Sequence, residues 1–240
     1  MHVAGGELAA CLTIVFVGAF IQGSVGFGIN LVVVPVIAIV VPDAVPGSIV
    51  LLSLPLTITM VLREHRHIDR RGVAWIMVGR LPGAVVGAAV VVFVASDILT
   101  TVIGATILAA VALSVARLHV RVLPSTAITA GFTAGVMGTA AGVDGPPLAL
   151  LYQHHRNEAI RATLAACFVL GTLVSATTLA IAGEIRREQL LFTIELLPAL
   201  LLGLLASTWG ARHLRDRDVR PAMLIFATAA GVTAFVSGLT

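Results

Sequence analysis

Two glycine-rich stretches interrupt long apolar runs: GSVGFGIN at residues 23–30 and GVMGTAAGVDGPP at residues 135–147. The runs that contain them, about Leu8–Val41 and Thr126–Tyr152, are too apolar for a domain that lives in water. Hydrocarbon offers no hydrogen bonds to a broken backbone, so such breaks persist in a membrane only where protein or a wet cavity satisfies them. Corresponding breaks in the two halves of a membrane protein indicate a transporter's binding site.

The composition is that of an integral membrane protein. Of the 240 residues, 58% are hydrophobic and 11% are charged, with a mean hydropathy of +1.05. Soluble domains carry about 25% charged residues. The net charge of +3 comes from 15 arginines and no lysine. In a bilayer protein this positive balance reports orientation, so no nucleic-acid partner is expected. No residue pattern indicates a cofactor or a metal site.

Six further apolar runs are long enough to cross a hydrocarbon core of about 30 Å as helices. They are Gly47–Leu62, Val73–Val94, Ile98–Ala116, Ile160–Ala182, Leu190–Trp209 and Pro221–Leu239. The first glycine-broken run would measure roughly 50 Å as one helix, which is too long for one crossing and a little short for two. We therefore expect each broken run to be a pair of half-helices, either re-entrant or crossing as two short spans.

The distribution of arginines discriminates between two topologies, because positively charged loops stay on the cytoplasmic side. If each broken run enters and returns, or crosses twice, twelve arginines fall on one side. They occupy the clusters at 63–71, 117–121, 156–161 and 212–220, and the pair at 186–187 falls on the other side. If each broken run crosses once, the bias disappears. The first topology is favoured, with the arginine-rich loops in the cytoplasm and the protein in the cell inner membrane.

In this topology each half crosses the membrane an odd number of times, so the two halves point in opposite directions. We predict an all-α integral membrane protein with one transmembrane domain made of two inverted repeats, residues 1–120 and 121–240. Each repeat has a glycine-broken helix pair and three transmembrane helices. At an offset of 116 residues, Gly26 matches Gly142, Arg70-Arg71 matches Arg186-Arg187, Pro82 matches Pro198, and Gly87 matches Gly203. Inverted repeats are a transporter architecture, since exchanging the conformations of the halves alternates access to a central site.

Three ordered segments carry a family resemblance: GAFIQGSVGFGINLVVVP at 18–35, RLPGAVVG at 80–87, and GFTAGVMGTAAGVDGPPL at 131–148. Together they resemble the signatures of the sulfite exporter TauE/SafE family, also called the sulfonate uptake permease group, over nearly the whole chain. The resemblance implies transport of sulfur-containing anions such as sulfite, sulfoacetate or other organosulfonates. Asp144 departs from the family pattern, which often has a small or neutral residue before Gly-Pro.

An anion site is predicted between the two breaks. Helix N-termini carry partial positive charge and unpaired N–H groups, which suit anions. The alternative is that the glycines serve only close helix packing. The predicted substrate-binding residues are Gln22, Ser24, Gly26, Gly28, Asn30, Arg80, Thr139, Gly142 and Gly145.

Arg80 is the most informative single charge, because intramembrane arginines face the protein interior or a wet cavity. Its planar donors suit a sulfonate or sulfite group. Alternatively it snorkels to the inner surface, or pairs with Asp144 or Glu195. Asp144 also fits an N-cap before Gly-Pro-Pro. Both Asp144 and Glu195 are candidates for proton coupling, since burial favours the neutral form of a carboxyl group.

These patterns predict a secondary transporter of small anions, since no Walker-type phosphate loop is present. No nucleophile with a base and no metal cluster lies at membrane depth, so we expect no catalytic residues and no enzyme activity. A cation or proton carrier built on Asp144 and Glu195, and an anion channel, stay open as alternatives. The expected partners are the lipid bilayer and the anion, and a homodimer is one open arrangement.

Overall fold

The computed structural model describes residues 4–25, 28–63, 68–116, 120–152, 157–210 and 216–238. These residues form α-helices and one short 3₁₀ turn, and no strand occurs among them. In the first half the helices are α1 (Gly5–Val25), α2 (Ile29–Val40), α3 (Gly47–Arg63), α4 (Arg70–Phe93) and α5 (Ser96–Val115), with the 3₁₀ turn at Pro42–Ala44. In the second half they are α6 (Pro124–Ala141), α7 (Gly145–Tyr152), α8 (Asn157–Ile181), α9 (Arg187–Gly210) and α10 (Asp216–Ser237).

Five of these helices, α1, α4, α5, α8 and α9, are long and apolar enough to cross a membrane. The prediction of an all-α protein with several membrane-spanning helices is therefore confirmed for the described chain. The predicted spans at Gly47–Leu62 and Pro221–Leu239 correspond to shorter apolar helices, α3 and the Pro221–Ser237 part of α10. The first arm of each broken pair is longer than a half-helix, since the 21 residues of α1 measure about 31 Å.

Each break is built on a glycine with a left-handed backbone. Gly28 precedes α2 with a φ of 109°, and Gly142 ends α6 with a φ of 74°. At the second break, the Gly142 N–H donates to the Gly138 carbonyl and the Val143 N–H donates to the Met137 carbonyl. This pairing satisfies the last carbonyls of α6 in the manner of a Schellman end, which favours glycine. Side chains with a Cβ rarely adopt this conformation, so glycine is favoured where α6 ends and just before α2 begins.

Helices α4 and α6 lie in close backbone contact. A Cβ added at Gly79 or Gly83 of α4 would overlap the backbone of α6 near Phe132. A Cβ added at Gly131 or Gly135 of α6 would likewise meet the backbone of α4. Small residues allow this approach between membrane helices, which gain van der Waals packing from it. The same contact holds the middle of α4 beside the end of α6, where the second break begins.

Helices α3 and α8 contact each other, and α8 also contacts both helices of the second broken pair. Helix α1 packs along α2 and α9, and α6 packs along α7 and α4. At the second break, Gly138 and Asp144 lie against Arg80 in the middle of α4. At the first break, Gly23 lies against Ser207 near the end of α9. This arrangement brings the two glycine breaks to a common point inside the protein.

Candidate functional site

A small polar cavity of about 30 Å³ lies where the two breaks meet. The breaks contribute Gln22, Gly28, Asn30, Gly142, Asp144 and Gly145 to its wall. Each of these residues except Asp144 was predicted for the substrate site, and Asp144 was predicted for proton coupling. A water molecule needs about 10–15 Å³ measured in this way, so the cavity has room for roughly two. A sulfonate would require the walls to move apart.

Arg80 of α4 forms the charged wall of the cavity. The residue is 1% exposed, and its Nη2 donates to Asp144 Oδ2 at 2.7 Å. Its Nε and Nη1 have no hydrogen-bond acceptor among the described residues. Leaving donors of a buried guanidinium unsatisfied is costly, more so than for a neutral group. The Arg80 side chain beside the cavity therefore carries two buried donors that no described residue satisfies.

Two glycines make room for the Arg80 guanidinium. A Cβ added at Gly138 of α6 would lie 3.0 Å from Arg80 Nη2. A Cβ added at Gly171 of α8 would overlap Arg80 Cζ and Nε. The guanidinium is thus held between the backbones of α6 and α8. Sequence reasoning did not assign Gly171 to the site, and a lone glycine in an apolar span gave no signal for it.

The polar side chains of the first break bond to the protein itself. Gln22 Oε1 accepts a hydrogen bond of 2.9 Å from the N–H of Ile29, the first residue of α2. Asn30 Nδ2 donates to the carbonyl of Gly142 at 2.6 Å, and to Ser53 Oγ at 3.4 Å. Gln22 therefore closes the first break, and Asn30 ties the first break to the second. These contacts organise the cavity wall before any ligand enters.

The remaining predicted residues lie elsewhere. Ser24 is buried, but its hydroxyl donates to the Phe20 carbonyl of its own helix. Thr139 is fully buried and its Oγ1 lies 2.8 Å from Ser175 Oγ, so it supports the cavity wall without lining it. Glu195 is exposed on α9, away from the cavity. Gly26 lies outside the described residues.

Helices α3 and α8 contribute wall residues that the sequence analysis missed. They are Ser53 and Thr57 on α3, and Phe168, Thr172 and Ser175 on α8. Each set recurs at a helical spacing of three or four residues, which places its members on one helix face. Polar residues spaced in this way within apolar spans were the available signal.

An ion pair and two helix N-termini border the cavity. The charges of Arg80 and Asp144 cancel, and the N-termini of α2 and α7 begin at the cavity wall. Helix N-termini contribute partial positive charge. The cavity is therefore bordered by a neutral ion pair and two positive helix ends.

Comparison with known proteins identifies the family of the chain. Residues 10–234 match the family described as Sulfite exporter TauE/SafE. The chain is 30% identical over 169 residues to a protein of Cupriavidus necator named "Probable sulfite/organosulfonate exporter TauE", covering 67% of this chain. The match spans 65% of that relative's length, just under two thirds. No solved structure matches the chain. The family match covers nearly the whole sequence and confirms the resemblance of the three signature segments, so this multi-pass membrane protein belongs to the sulfite exporter TauE/SafE family of transporters.

Proposed function

We propose that this chain is a secondary transporter of a small sulfur-containing oxyanion, sulfite or an organosulfonate, and that Arg80 binds the anion. The observation that carries the proposal is the pair of unpartnered donors on Arg80, a residue 1% exposed in the cavity between the two breaks. The oxygens of a sulfonate or sulfite would satisfy both donors. Arginine suits such oxyanions because its donors are planar and permanently charged.

The sulfur part of the proposal rests on the family and on the name of the Cupriavidus necator relative. The anion part rests on the cavity. Its free donors are N–H groups, and its helix ends are the positive ones. Phe168 and Val50 supply apolar wall beside these donors, as expected of a site for a charged head group on a short organic body.

Proton coupling is the part of the proposal that concerns Asp144. Its carboxylate accepts a hydrogen bond from Arg80 Nη2, and its side chain is 13% exposed. An anion that binds Arg80 competes with this carboxylate, and two negative groups beside one guanidinium repel each other. Uptake of a proton by Asp144 removes the repulsion. Transport of the anion would then move a proton with it.

Alternating access by two inverted repeats, residues 1–120 and 121–240, completes the proposal. The packing supports it, because contacts made by α4 of the first repeat are matched by contacts of α9, its equivalent in the second repeat. Helix α4 packs on α6 as α9 packs on α1, and α4 packs on α8 as α9 packs on α3. Gly87 of α4 faces the backbone of α6 near Val136, and its 116-residue equivalent Gly203 of α9 faces the backbone of α1 near Phe16. The Arg80–Asp144 ion pair does not follow this symmetry, since the residue 116 positions after Arg80 is Leu196.

The orientation follows from the arginine clusters, which we place in the cytoplasm with the protein in the inner membrane. The start of α4 then faces the cytoplasm and the start of α9 faces outward. The homodimer stays a prediction that the single chain does not address.

Transport by purified protein in liposomes tests the proposal. Radiolabelled sulfite and sulfoacetate should show saturable uptake that unlabelled sulfonates inhibit and acetate does not. A current that persists without any transported anion would instead support a cation or proton carrier. Flux that does not saturate would support a channel. Either result would overturn the proposed mechanism while leaving the family assignment intact.

A further inference from the structure

Side-chain hydrogen bonds between the two halves of the described chain cluster at three levels. The middle level is the cavity, with the Arg80–Asp144 and Asn30–Gly142 contacts. The other two are small clusters that the transport proposal has not used, each with buried hydroxyl or amide side chains and one exposed aspartate. We name them the α9 latch, made of Asp43, Ser48, Gln189 and Thr193, and the α4 latch, made of Asp69, Tyr152 and Thr163.

The α9 latch joins the start of α3 to the start of α9. Gln189 is 4% exposed, and its Nε2 donates to the Asp43 carbonyl at 2.9 Å. Ser48 Oγ donates to the Gln189 carbonyl at 3.1 Å, and Thr193 Oγ1 reaches the Ser48 carbonyl at 3.4 Å. A Cβ added at Gly47 would overlap the Gln189 side chain. The first half of the chain therefore closes against the second at this end.

The α4 latch joins the start of α4 to α7 and α8. The N–H of Asp69 donates to Thr163 Oγ1 at 3.0 Å, and the Tyr152 hydroxyl donates to Asp69 Oδ2 at 3.1 Å. Asp69 also caps α4, since its Oδ1 accepts from the Gly72 N–H at 3.0 Å. Thr163 and Tyr152 are 0% and 2% exposed. This latch also crosses between the halves.

The latches lie on opposite sides of the cavity. Along α4, Asp69 stands eleven residues before Arg80, or about 16 Å. Along α3, Ser48 stands five residues before the cavity residue Ser53, or about 8 Å. Since α4 follows α3 back through the protein, the two helix starts are at opposite ends. Seen from the cavity, each latch thus lies toward a different end of the protein.

The latches are also equivalents of each other in the two halves. One joins α3 to α9, and the other joins α8 to α4. Helix α8 is the second-half equivalent of α3, and α9 is the second-half equivalent of α4. Thr163 of the α4 latch is the 116-residue equivalent of Gly47, the residue that abuts Gln189 in the α9 latch. A transporter that alternates access needs such a device at each face, so that one opens while the other stays shut.

We propose that the two latches are the gates of this transporter. Breaking the α4 latch opens the cavity toward the face where α4 begins, and breaking the α9 latch opens it toward the opposite face. The proposal rests on the transport function proposed above. Thr193 also donates to the Gln189 carbonyl of its own helix at 2.7 Å. Most other hydroxyl groups in the described helices bond only to their own backbone, as Thr178 does on α8 and Ser207 does on α9, and so hold no gate.

One-sided labelling of a cysteine in the cavity tests the gates. The reporter is Ser53→Cys, labelled by a membrane-impermeant maleimide in vesicles of each orientation, with the chain lacking the reporter as background for buried Cys11 and Cys167. Thr163→Val opens the α4 latch, and Thr178→Val on the same helix is its matched control. Ser48→Ala opens the α9 latch, and buried Ser207→Ala is its matched control. We expect each latch variant to raise the labelling rate several-fold from one face, the two variants from opposite faces, with neither control changing it.

Labelling that rises from the same face in both latch variants, or that rises in neither, would overturn the proposal. If Thr163→Val or Ser48→Ala does not fold, Tyr152→Phe and Thr193→Val remove single contacts of the same latches and are read in the same way. Stabilisation by methanesulfonate, measured on the same proteins, separates the two proposals. Opposite-sided labelling without stabilisation keeps the gates and refutes the anion site, whereas stabilisation with unchanged labelling does the reverse.

Discussion

Asn30 of the first helix break donates a 2.6 Å hydrogen bond to the carbonyl of Gly142 in the second break, across 112 residues of chain. The contact joins the two glycine-rich segments that mark the sequence. It also supplies a partner for a carbonyl at the end of α6, where the helix leaves its acceptors unpaired. The geometry of the cavity therefore depends on a bond between the two halves.

Replacement of Asn30 by alanine removes this bond and leaves the Gly142 carbonyl without its partner. An unsatisfied buried polar group costs about 1–3 kcal/mol, so we expect a lower midpoint of thermal unfolding in detergent. Thr129→Ala is the control, because Thr129 is exposed and its hydroxyl bonds only to its own helix. Equal midpoints for the two variants would show that the contact does not hold the breaks together.

Replacement of Asp144 by asparagine removes the negative partner of Arg80. Breaking a buried ion pair costs about 3–5 kcal/mol. The loss should be smaller here, because asparagine keeps an oxygen and Asp144 is 13% exposed. We expect the variant to be less stable than wild type without ligand, yet to gain more stability from methanesulfonate, since the anion no longer competes with a carboxylate. Smaller stabilisation by the anion than in wild type would contradict the competition.

The pH dependence of anion binding tests proton coupling. If a proton binds together with the anion, as the proposed coupling requires, the affinity for the anion rises by linkage as the pH falls. Methanesulfonate is the suitable probe because it stays ionised across the neutral range. We expect Asp144→Asn to abolish the dependence and Glu195→Gln to retain it, as Glu195 is exposed away from the cavity. The opposite pattern would assign the proton to Glu195.

Replacement of Gly171 by alanine should displace the Arg80 guanidinium. The added Cβ would overlap Arg80 Cζ and Nε, which are at the far end of a long side chain. The guanidinium would therefore have to leave its present position. We expect the variant to fold and to lose at least tenfold in affinity for the anion, measured by isothermal titration. Gly6→Ala is the control, because a Cβ there meets no neighbouring atom. Unchanged affinity in Gly171→Ala would mean that the guanidinium position is not set by α8.

Much of the fold could be predicted from the sequence because hydrocarbon restricts the chain to helices. The predicted span Ile98–Ala116 ends within one residue of α5, and both breaks contain the left-handed glycine that a helix end requires. The length of α1 could not be predicted, since the apolar pattern does not show at which residue a helix begins or ends. Glu195 lies on the exposed face of α9, and its position in the sequence does not reveal which face of that helix is covered.

The cavity was only partly predictable for a different reason. Gln22, Asn30 and Arg80 stand out because polar groups are rare and costly in membrane spans. Ser53 and Thr172 do not, since single hydroxyls in membrane helices usually bond to their own backbone. Gly171 has a role only through Arg80, a contact between helices that no local pattern encodes.

Thermal stabilisation by anions tests the assignment of Arg80 most directly. The panel is sulfite, methanesulfonate, sulfoacetate, sulfate, phosphate and acetate, applied to wild type and to the double variant Arg80→Gln with Asp144→Asn, which removes both charges of the pair and leaves neither unpaired. A ligand at a hundred times its dissociation constant stabilises the folded state by about 2.7 kcal/mol. We predict stabilisation of wild type by sulfite or a sulfonate and none of the double variant. Equal stabilisation of the two proteins would show that the anion binds elsewhere and that Arg80 is not its ligand.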